Sequence, residues 1–171
     1  KYNSGLLYRY DPVKNKFDTL YSLNNDVGGT IIGGLMQANN GLLYGSTCYH
    51  GADSDGTFFS FNPSTNKTQS IFPFNGANGK NTYGQGFILP AHASLLSSMT
   101  ELGGTVDSGV LFSYNIYTGK DSVLLNFTNA TGSAPNRTLV KDTNNGLYYG
   151  TTWVGGKYDE GVIFCYNPKT N

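Results

Sequence analysis

The sequence predicts an all-β fold, and within that class a section of a β-propeller built from four-stranded antiparallel blades. Three observations support this prediction. The chain of 171 residues contains 23 glycines and 14% aromatic residues but only 13% charged residues, a composition typical of many short strands joined by tight turns. A glycine that opens an aromatic-rich strand recurs about every 50 residues. Each interval between these glycines holds four short apolar runs separated by turn residues.

The recurring strand is the clearest element. It begins at four glycines, with the sequences GLLYRYDP (Gly5), GTFFSFNP (Gly56), GVLFSYNI (Gly109) and GVIFCYNP (Gly161). Its aromatic residues are two positions apart and therefore share one strand face, while the opposite face carries Leu7 or its counterparts. Because both faces are apolar, both must be covered, as happens when a blade packs between two neighbouring blades.

The other strands follow from the first complete unit. Its four apolar runs read GGLMQA, GLLYGST, GTFFSFN and KTQSIFPF. The residues between the first two, Asn39 to Gly41, are a hairpin signal because Asn and Gly tolerate positive φ. The third and fourth runs are separated by NPSTNK, which suits a tight turn. The unit is therefore predicted to be a four-stranded antiparallel meander.

Applied to the whole chain, this pattern predicts one propeller section with two, four, four and three strands. The repeat units are about 1–29 (partial), 30–81, 82–134 and 135–171 (partial). Closure of a propeller takes at least about four blades, so we expect an incomplete ring that further repeats or another chain would complete. One unit diverges: ASLLSSM, residues 93–99, replaces GLLYGST, and Pro90 and His92 lie at the preceding turn.

Composition argues against several classes of partner. Eleven basic and eleven acidic residues give a formal net charge of zero without a basic run, so nucleic acid is not an expected partner. No apolar stretch approaches the roughly 18 residues needed to span a membrane. Cys48 and Cys165 belong to nonadjacent units, so we expect two separate thiols and no disulfide.

The doubled phrase GLLYGSTCYHGADSDGTFFSFNP and GLYYGTTWVGGKYDEGVIFCYNP resembles the GloVer tandem repeat of bacterial surface proteins. That family's pattern is similar to G-x-L-Y-G-T-T, a Gly-Gly pair, and then G-x-x-F-x-Y-N-P. The resemblance covers nearly all of the chain. It implies kelch-like propeller blades in a secreted protein that is held at the cell surface by one of several anchors outside these residues, and it implies no enzyme activity.

The connections whose sequences differ most between units are predicted to lie on one side of the propeller disc. In a meander, the second-to-third connections (46–56, 98–109, 151–161) and the unit-to-unit connections (75–86, 127–138) emerge together; we call this side the loop face and the opposite side the turn face. Variable loops on a rigid scaffold are where function tends to lie.

The loop face is expected to be acidic, through Asp26, Asp53, Asp55, Glu101, Asp107, Asp159 and Glu160, with Lys80, Arg137 and Lys157 as its basic residues. The turn face is expected to be basic, through Lys14, Lys16, Lys67, Lys120, Lys141 and Lys169. This separation indicates either ordinary solvated charge or a surface for cations, sugars or the stacking of discs.

The candidate ligand-binding residues lie on the loop face. They are Tyr49, His50, Asp53, Asp55, Trp153, Lys157, Tyr158 and Asp159. Exposed aromatic rings can stack on a sugar while carboxylates bind its hydroxyls, although loop aromatics also pack on their own blade. No cofactor is predicted; DSDG (53–56) resembles the start of a calcium loop, but the later carboxylate ligands are missing, so calcium at Asp53 and Asp55 is only an alternative.

Together with the loop-face residues, the resemblance implies an extracellular, noncatalytic surface protein that serves adhesion, surface assembly or glycan binding. Its expected partner is a glycan, another surface protein or a further copy of itself. The alternative is a polysaccharide-active enzyme, in which carboxylates such as Asp159 and Glu160 would converge at about 5–10 Å. The only histidines, His50 and His92, accompany no Ser-His-Asp or metal-ligand spacing.

Overall fold

The computed structural model describes residues 5–24, 27–83, 86–87 and 94–170. Within these residues the chain consists of β-strands and connecting turns and loops. No helix that could cross a membrane is found in this part of the chain. The strands are β1 (Leu6–Asp11), β2 (Lys16–Ser22), β3 (Met36–Gln37), β4 (Leu43–Thr47), β5 (Thr57–Asn62), β6 (Lys67–Pro73), β7 (Leu95–Thr100), β8 (Val110–Asn115), β9 (Asp121–Asn126), β10 (Ser133–Lys141), β11 (Tyr148–Val154) and β12 (Ile163–Tyr166).

The strands form four antiparallel sheets in which sequence neighbours pair: β1-β2, β3-β4-β5-β6, β7-β8-β9 and β10-β11-β12. This confirms the predicted all-β meander, and the described residues do not close a ring. The first of the four strands predicted for the third unit precedes β7, where residues 84–85 and 88–93, including Pro90 and His92, lie outside the described residues. The divergent stretch nevertheless contributes Leu95–Thr100 as β7, which pairs with β8 in regular register.

Side-chain oxygens fix the short turns on the turn face. The Asn62 Oδ1 accepts hydrogen bonds from the backbone N–H groups of Ser64 and Thr65 at 2.9 and 3.3 Å. Asn115 closes the β8–β9 turn in the same way, at 3.0 and 3.1 Å. An Asn or Asp that bonds the backbone two and three residues ahead forms a local turn by itself, which explains why this residue type follows each aromatic strand.

Three apolar cores lie between successive sheets. The first joins Leu7 and Leu23 to Phe59 and Phe61, and each of these side chains is at most 6% exposed. The second is centred on Phe58, whose ring lies 5.1 Å from that of Tyr114 in the next sheet. The third contains residues of the last two sheets, among them Leu111, Phe127, Leu139 and Tyr148. The middle sheets are therefore covered on both faces, as the two-sided apolar pattern predicted.

A glycine and a threonine recur together where each unit enters the loop face. Gly28, Gly79 and Gly132 have φ of 96°, 108° and 100°, and a Cβ at each would collide with the side chain of Thr47, Thr100 or Thr152. Each threonine Oγ1 also accepts a backbone N–H at the start of the next strand, from Thr57, Val110 or Val162, at 3.0, 3.2 and 3.1 Å. Only glycine permits this backbone conformation and close approach at low cost. The pair fixes how the loops leave the sheet.

The two cysteines are free thiols. Cys48 is fully buried, and its Sγ donates to the Thr82 carbonyl at 3.4 Å. Burial raises the pKa of the Cys48 thiol to about 11. Cys165 lies on β12 and is exposed.

Candidate functional site

The loop face contains a pocket of about 710 Å³. Its walls come from three successive sheets, because each contributes residues from where the chain enters the unit and residues at or just beyond the end of β4, β7 or β11. The described lining residues are Ile32 and Tyr49 from the second sheet's loops, Asn81, Tyr83, Glu101 and Leu102 from the third, and Ala134, Pro135, Asn136, Arg137 and Trp153 from the fourth. The pocket therefore requires at least three units to be assembled.

One backbone position supplies a different side chain to this region from each unit. The residue directly after the recurring threonine is Cys48, Glu101 or Trp153. Cys48 and Glu101 form equivalent backbone hydrogen bonds. The Cys48 N–H donates to the Thr30 carbonyl at 3.0 Å, and the Glu101 N–H donates to the Asn81 carbonyl at 2.9 Å. The side chains differ in kind, since the thiol is buried, the carboxylate is half-buried and the indole is 66% exposed. The scaffold is thus repeated, while the chemistry at this position is not.

Glu101 is the carboxylate of the described pocket lining. Burial raises the pKa of its carboxyl above the ordinary value because the charged form loses part of its hydration. Within the described residues, no side chain is hydrogen-bonded or ion-paired to this carboxylate. Its acceptor oxygens are therefore not engaged by the side chains of the described residues.

Aromatic rings line two sides of the pocket. The ring of Tyr49 meets that of Tyr83 edge to face, with 5.8 Å between centroids, and this contact orients both rings. Trp153 is 66% exposed. Arg137, also exposed, has a φ of 68° and forms no ion pair with a described acidic residue. The pocket thus combines ring faces with carboxylate, amide and guanidinium groups.

Two of the eight residues predicted from the sequence, Tyr49 and Trp153, line this pocket. His50, Asp53 and Asp55 lie in the β4–β5 loop outside its lining. The His50 carbonyl accepts the Gly56 N–H at 3.0 Å, so the backbone of this residue holds the loop closed. A binding role for these three side chains stays a prediction, as does calcium binding. No group of three or more His, Cys, Asp or Glu residues suited to a metal occurs in the described ranges.

The remaining predicted residues, Lys157, Tyr158 and Asp159, lie in the β11–β12 loop and also outside the pocket lining. The ammonium group of Lys157 lies over the Tyr158 ring, 5.2 Å from its centroid. The Asp159 carboxylate accepts the Gly155 N–H at 2.9 Å. Asp107 forms the equivalent bond with Gly103 at 2.8 Å, so this aspartate braces the loop in two units.

The charge expected on the loop face is partly paired. Lys80 Nζ lies 2.9 Å from Asp107 Oδ1, and this ion pair lowers the pKa of the Asp107 carboxyl. Asp26, another acid expected there, lies outside the described residues. Glu160 is exposed and does not line the pocket.

Sequence reasoning did not select Tyr83, Glu101, Asn136 or Arg137 as binding residues. Alignment of the units on the recurring threonine places Glu101 at the same repeat position as Trp153, which was a candidate. A similar count from Gly28, Gly79 and Gly132 brings Ile32, Tyr83 and Asn136 to one position of the entry segment. Both counts were possible from the sequence, but that the two positions meet in one pocket required the fold.

Comparisons with solved structures show the fold. The chain is similar to an extracellular domain assigned to a one component system from B. thetaiotaomicron, with a TM-score of 0.65, 17% identity, and 99% of this chain and 19% of that one covered. It is also similar to TolB from Acinetobacter baumannii, with a TM-score of 0.63, 11% identity, and 98% of this chain and 36% of that one covered. For a chain of a nidogen/laminin complex the TM-score is 0.64 and the identity 14%, with 98% of this chain and 56% of that one covered. These are β-propeller-like domains, and the chain spans between about a fifth and just over half of their length.

No protein with curated annotation matches the chain by sequence. In contrast, the sequence pattern of one repeat family matches residues 1–171, which is the whole chain. The matched residues include every glycine-opened aromatic strand described above. The chain therefore belongs to the Gloeobacter/Verrucomicrobia (GloVer) repeat family.

Proposed function

We propose that this chain is a noncatalytic binding module of an extracellular bacterial surface protein and that the loop-face pocket holds a carbohydrate. The repeat family and the extracellular domain with a similar fold support the location. The observation that carries the ligand class is the exposed indole of Trp153 at the rim of a pocket that also presents Glu101, Asn136 and Arg137. A flat aromatic ring stacks on the apolar face of a sugar, while carboxylate, amide and guanidinium groups bind its hydroxyls.

Binding is favoured over hydrolysis by the number of carboxylates in the pocket. Most glycoside hydrolases place two carboxylates on opposite sides of the scissile bond. The described lining contains one, Glu101, and the predicted alternative pair of Asp159 and Glu160 lies outside it. The Asp159 carboxylate is also engaged with the Gly155 N–H, which limits its freedom to act on a substrate.

The test is glycan-array screening of the chain, followed by calorimetry with the oligosaccharides that bind. Trp153→Ala should weaken binding at least about tenfold, or about 1.4 kcal/mol, because the stacking surface is lost. The matched control is Tyr158→Ala, since Tyr158 is 78% exposed in the β11–β12 loop, five residues after Trp153, but does not line the pocket. Equal affinities for the wild type and Trp153→Ala, or an equal loss in both variants, would contradict the assignment.

The enzyme alternative is tested with the same oligosaccharides. Incubation with the chain and chromatography of the sugars should return them intact. Cleavage that disappears in Glu101→Gln would replace the binding proposal with a catalytic one.

A further inference from the structure

Arg137 occupies a position of the repeat at which the two preceding units carry glycine. Counted from the recurring glycine of each entry segment, the fifth residue is Gly33, Gly84 or Arg137. The φ of Arg137 is 68°, in the left-handed region. That conformation is costly for a residue with a Cβ, whereas glycine adopts it at little cost. The fourth unit therefore holds an arginine where its backbone favours a glycine.

The surrounding structure imposes this backbone conformation. Pairing between β10 and β11 stops at Asn136 and resumes at Val140, so three residues of β10 stand opposite one residue of β11. Next to Arg137, the side chain of Thr138 lies so close to Gly86 of the preceding unit that a Cβ on Gly86 would collide with it. Irregular strand pairing often redirects a side chain beside a functional site, and strained residues cluster at such sites. An unfavourable residue at a constrained position indicates a role for its side chain.

That side chain is exposed and lines the loop-face pocket. It is the basic group of the described lining, and a guanidinium keeps its charge and its five N–H donors throughout the physiological pH range. Glu101 lines the same pocket, but the two groups form no ion pair with each other. The charge of Arg137 is therefore not neutralised by an acidic residue in the part of the chain that the structure describes.

The other two basic residues expected on the loop face are engaged. Lys80 forms an ion pair with Asp107, with 2.9 Å between Nζ and Oδ1. The ammonium group of Lys157 lies over the Tyr158 ring, 5.2 Å from its centroid. Neither lysine lines the pocket. Arg137 differs from both because it combines a place in the pocket with an uncompensated charge.

We propose that Arg137 sets the class of carbohydrate, so that the pocket selects a sugar that carries a carboxylate or a sulfate group over the neutral sugar of the same shape. This inference rests on the proposed carbohydrate ligand and narrows it. A guanidinium binds two oxygens of an acidic group through two parallel N–H···O bonds. Trp153 supplies the stacking surface for the same sugar, and Glu101 accepts hydrogen bonds from its hydroxyls.

The first test is a glycan array printed in matched pairs. Each uronic acid stands beside its carboxyl-reduced form, and each sulfated sugar stands beside its desulfated form. The chain should bind acidic members, and calorimetry with the best pair should give an affinity at least about tenfold higher for the acidic member than for the neutral one. The kind of pair that is bound distinguishes a carboxylate from a sulfate. Equal binding of both members would overturn this inference and leave the carbohydrate proposal standing, whereas binding to no glycan would refute both.

Arg137→Gln separates the charge from the stacking surface. It should lower the affinity for the acidic member at least about tenfold, to that of the neutral member, and leave the neutral member unaffected. Trp153→Ala should weaken both members. The matched control is Lys157→Gln, which removes a basic group from the same face outside the pocket and should keep the preference. An equal loss of preference in Lys157→Gln would attribute it to the overall charge of the face and refute the role of Arg137.

Arg137→Gly provides a readout that needs no ligand. Glycine removes the strain at a φ of 68°, so this variant should unfold at a higher urea concentration than the wild type while it loses the preference for the acidic sugar. Arg137→Ala keeps a Cβ, so its urea midpoint should not rise. Circular dichroism checks that each variant is folded. A lower midpoint for Arg137→Gly would mean that the arginine stabilises the fold, and would count against its retention for ligand recognition.

Discussion

At the scale of single residues, the position after the recurring threonine holds a buried side chain in one unit and an exposed one in another. Cys48 fills it with a buried thiol, and Trp153 fills it with an indole that remains 66% exposed. Glu101 lies between these extremes and keeps a partly desolvated carboxylate in the pocket. Because the strand geometry around the position is repeated, the side chain alone decides whether a unit contributes packing or binding chemistry there.

The first prediction concerns the pH dependence caused by Glu101. Its folded-state pKa is raised by burial, so the folded chain holds this proton more tightly than the unfolded chain. Its contribution to stability is therefore fully present below the unfolded-state pKa of about 4.5 and is lost as pH rises through the folded-state value. Urea unfolding across this range should show Glu101→Gln gaining stability relative to the wild type as pH increases.

The control for that series is Glu160→Gln, which removes an exposed carboxylate from the same face outside the pocket. If both variants show the same trend, the effect comes from the overall charge of the face and not from the burial of Glu101.

The second prediction tests whether Asp159 stabilises its loop or contacts a ligand. Its carboxylate accepts the Gly155 N–H, and its φ is 59°, a conformation that Asp and Asn tolerate better than Ala. Asp159→Ala should lower the free energy of unfolding by about 1–2 kcal/mol, whereas Asp159→Asn should stay within about 0.5 kcal/mol of the wild type. Urea denaturation measures both. Loss of glycan affinity in Asp159→Asn, with stability unchanged, would point to direct ligand contact instead.

At the scale of elements, the loop face depends on how each unit leaves the preceding sheet. The pairing of Gly79 with Thr100 holds the entry segment against β7, and the same threonine accepts the Val110 N–H that opens β8. One hydroxyl thus links the entry segment and two strands of the unit. Pocket residues such as Tyr83 and Glu101 follow within a few positions of this contact, so their placement depends on it.

The third prediction tests this link. Gly79→Ala places a Cβ against the Thr100 side chain and forces a non-glycine residue to a φ of 108°. We expect a loss of about 2–4 kcal/mol in the free energy of unfolding from strain and overpacking together. The control is Gly34→Ala, where a Cβ meets nothing within 4 Å, and the expected change is within about 0.5 kcal/mol. Similar urea midpoints for the two variants would contradict the role of the glycine–threonine contact.

At the scale of the whole molecule, the buried apolar clusters lie between sheets. Each of the three cores draws buried residues from two successive sheets. Phe58 and Ile163 occupy equivalent strand positions, but Phe58 is fully buried by the following sheet and Ile163 is 81% exposed. The presence of a neighbouring sheet is therefore the variable that distinguishes them.

The fourth prediction uses this pair. Phe58→Ala should lower the free energy of unfolding by about 3–5 kcal/mol, since it leaves a cavity between two sheets. Ile163→Ala should change it by no more than about 0.5 kcal/mol. Thermal or urea unfolding measures both losses, and comparable losses at the two positions would contradict the difference in burial between Phe58 and Ile163.

Much of this fold was predictable because its determinants are local. Alternation along GTFFSFN fixes a strand with two apolar faces, and the Asn that follows it fixes the turn through its own backbone contacts. The predicted bounds of β4 to β6 differ from the observed strands by no more than two residues at either end. Only two of the eight candidate site residues, in contrast, line the pocket. Loop residues such as Lys157 and Tyr158 carry no periodic signal that shows which way they point.

By itself, the sequence determined the repeat, the strand order, the turn chemistry and membership of the family, because each depends on residues within one unit of about 50. The tertiary structure decided which side chains share the pocket. Ile32, Glu101 and Trp153 are distant along the chain, and packing of three sheets side by side is what brings their loops together. It also decided which copies of a repeated apolar position are covered, since burial at such a position depends on the neighbouring sheet and not on the residue that occupies it.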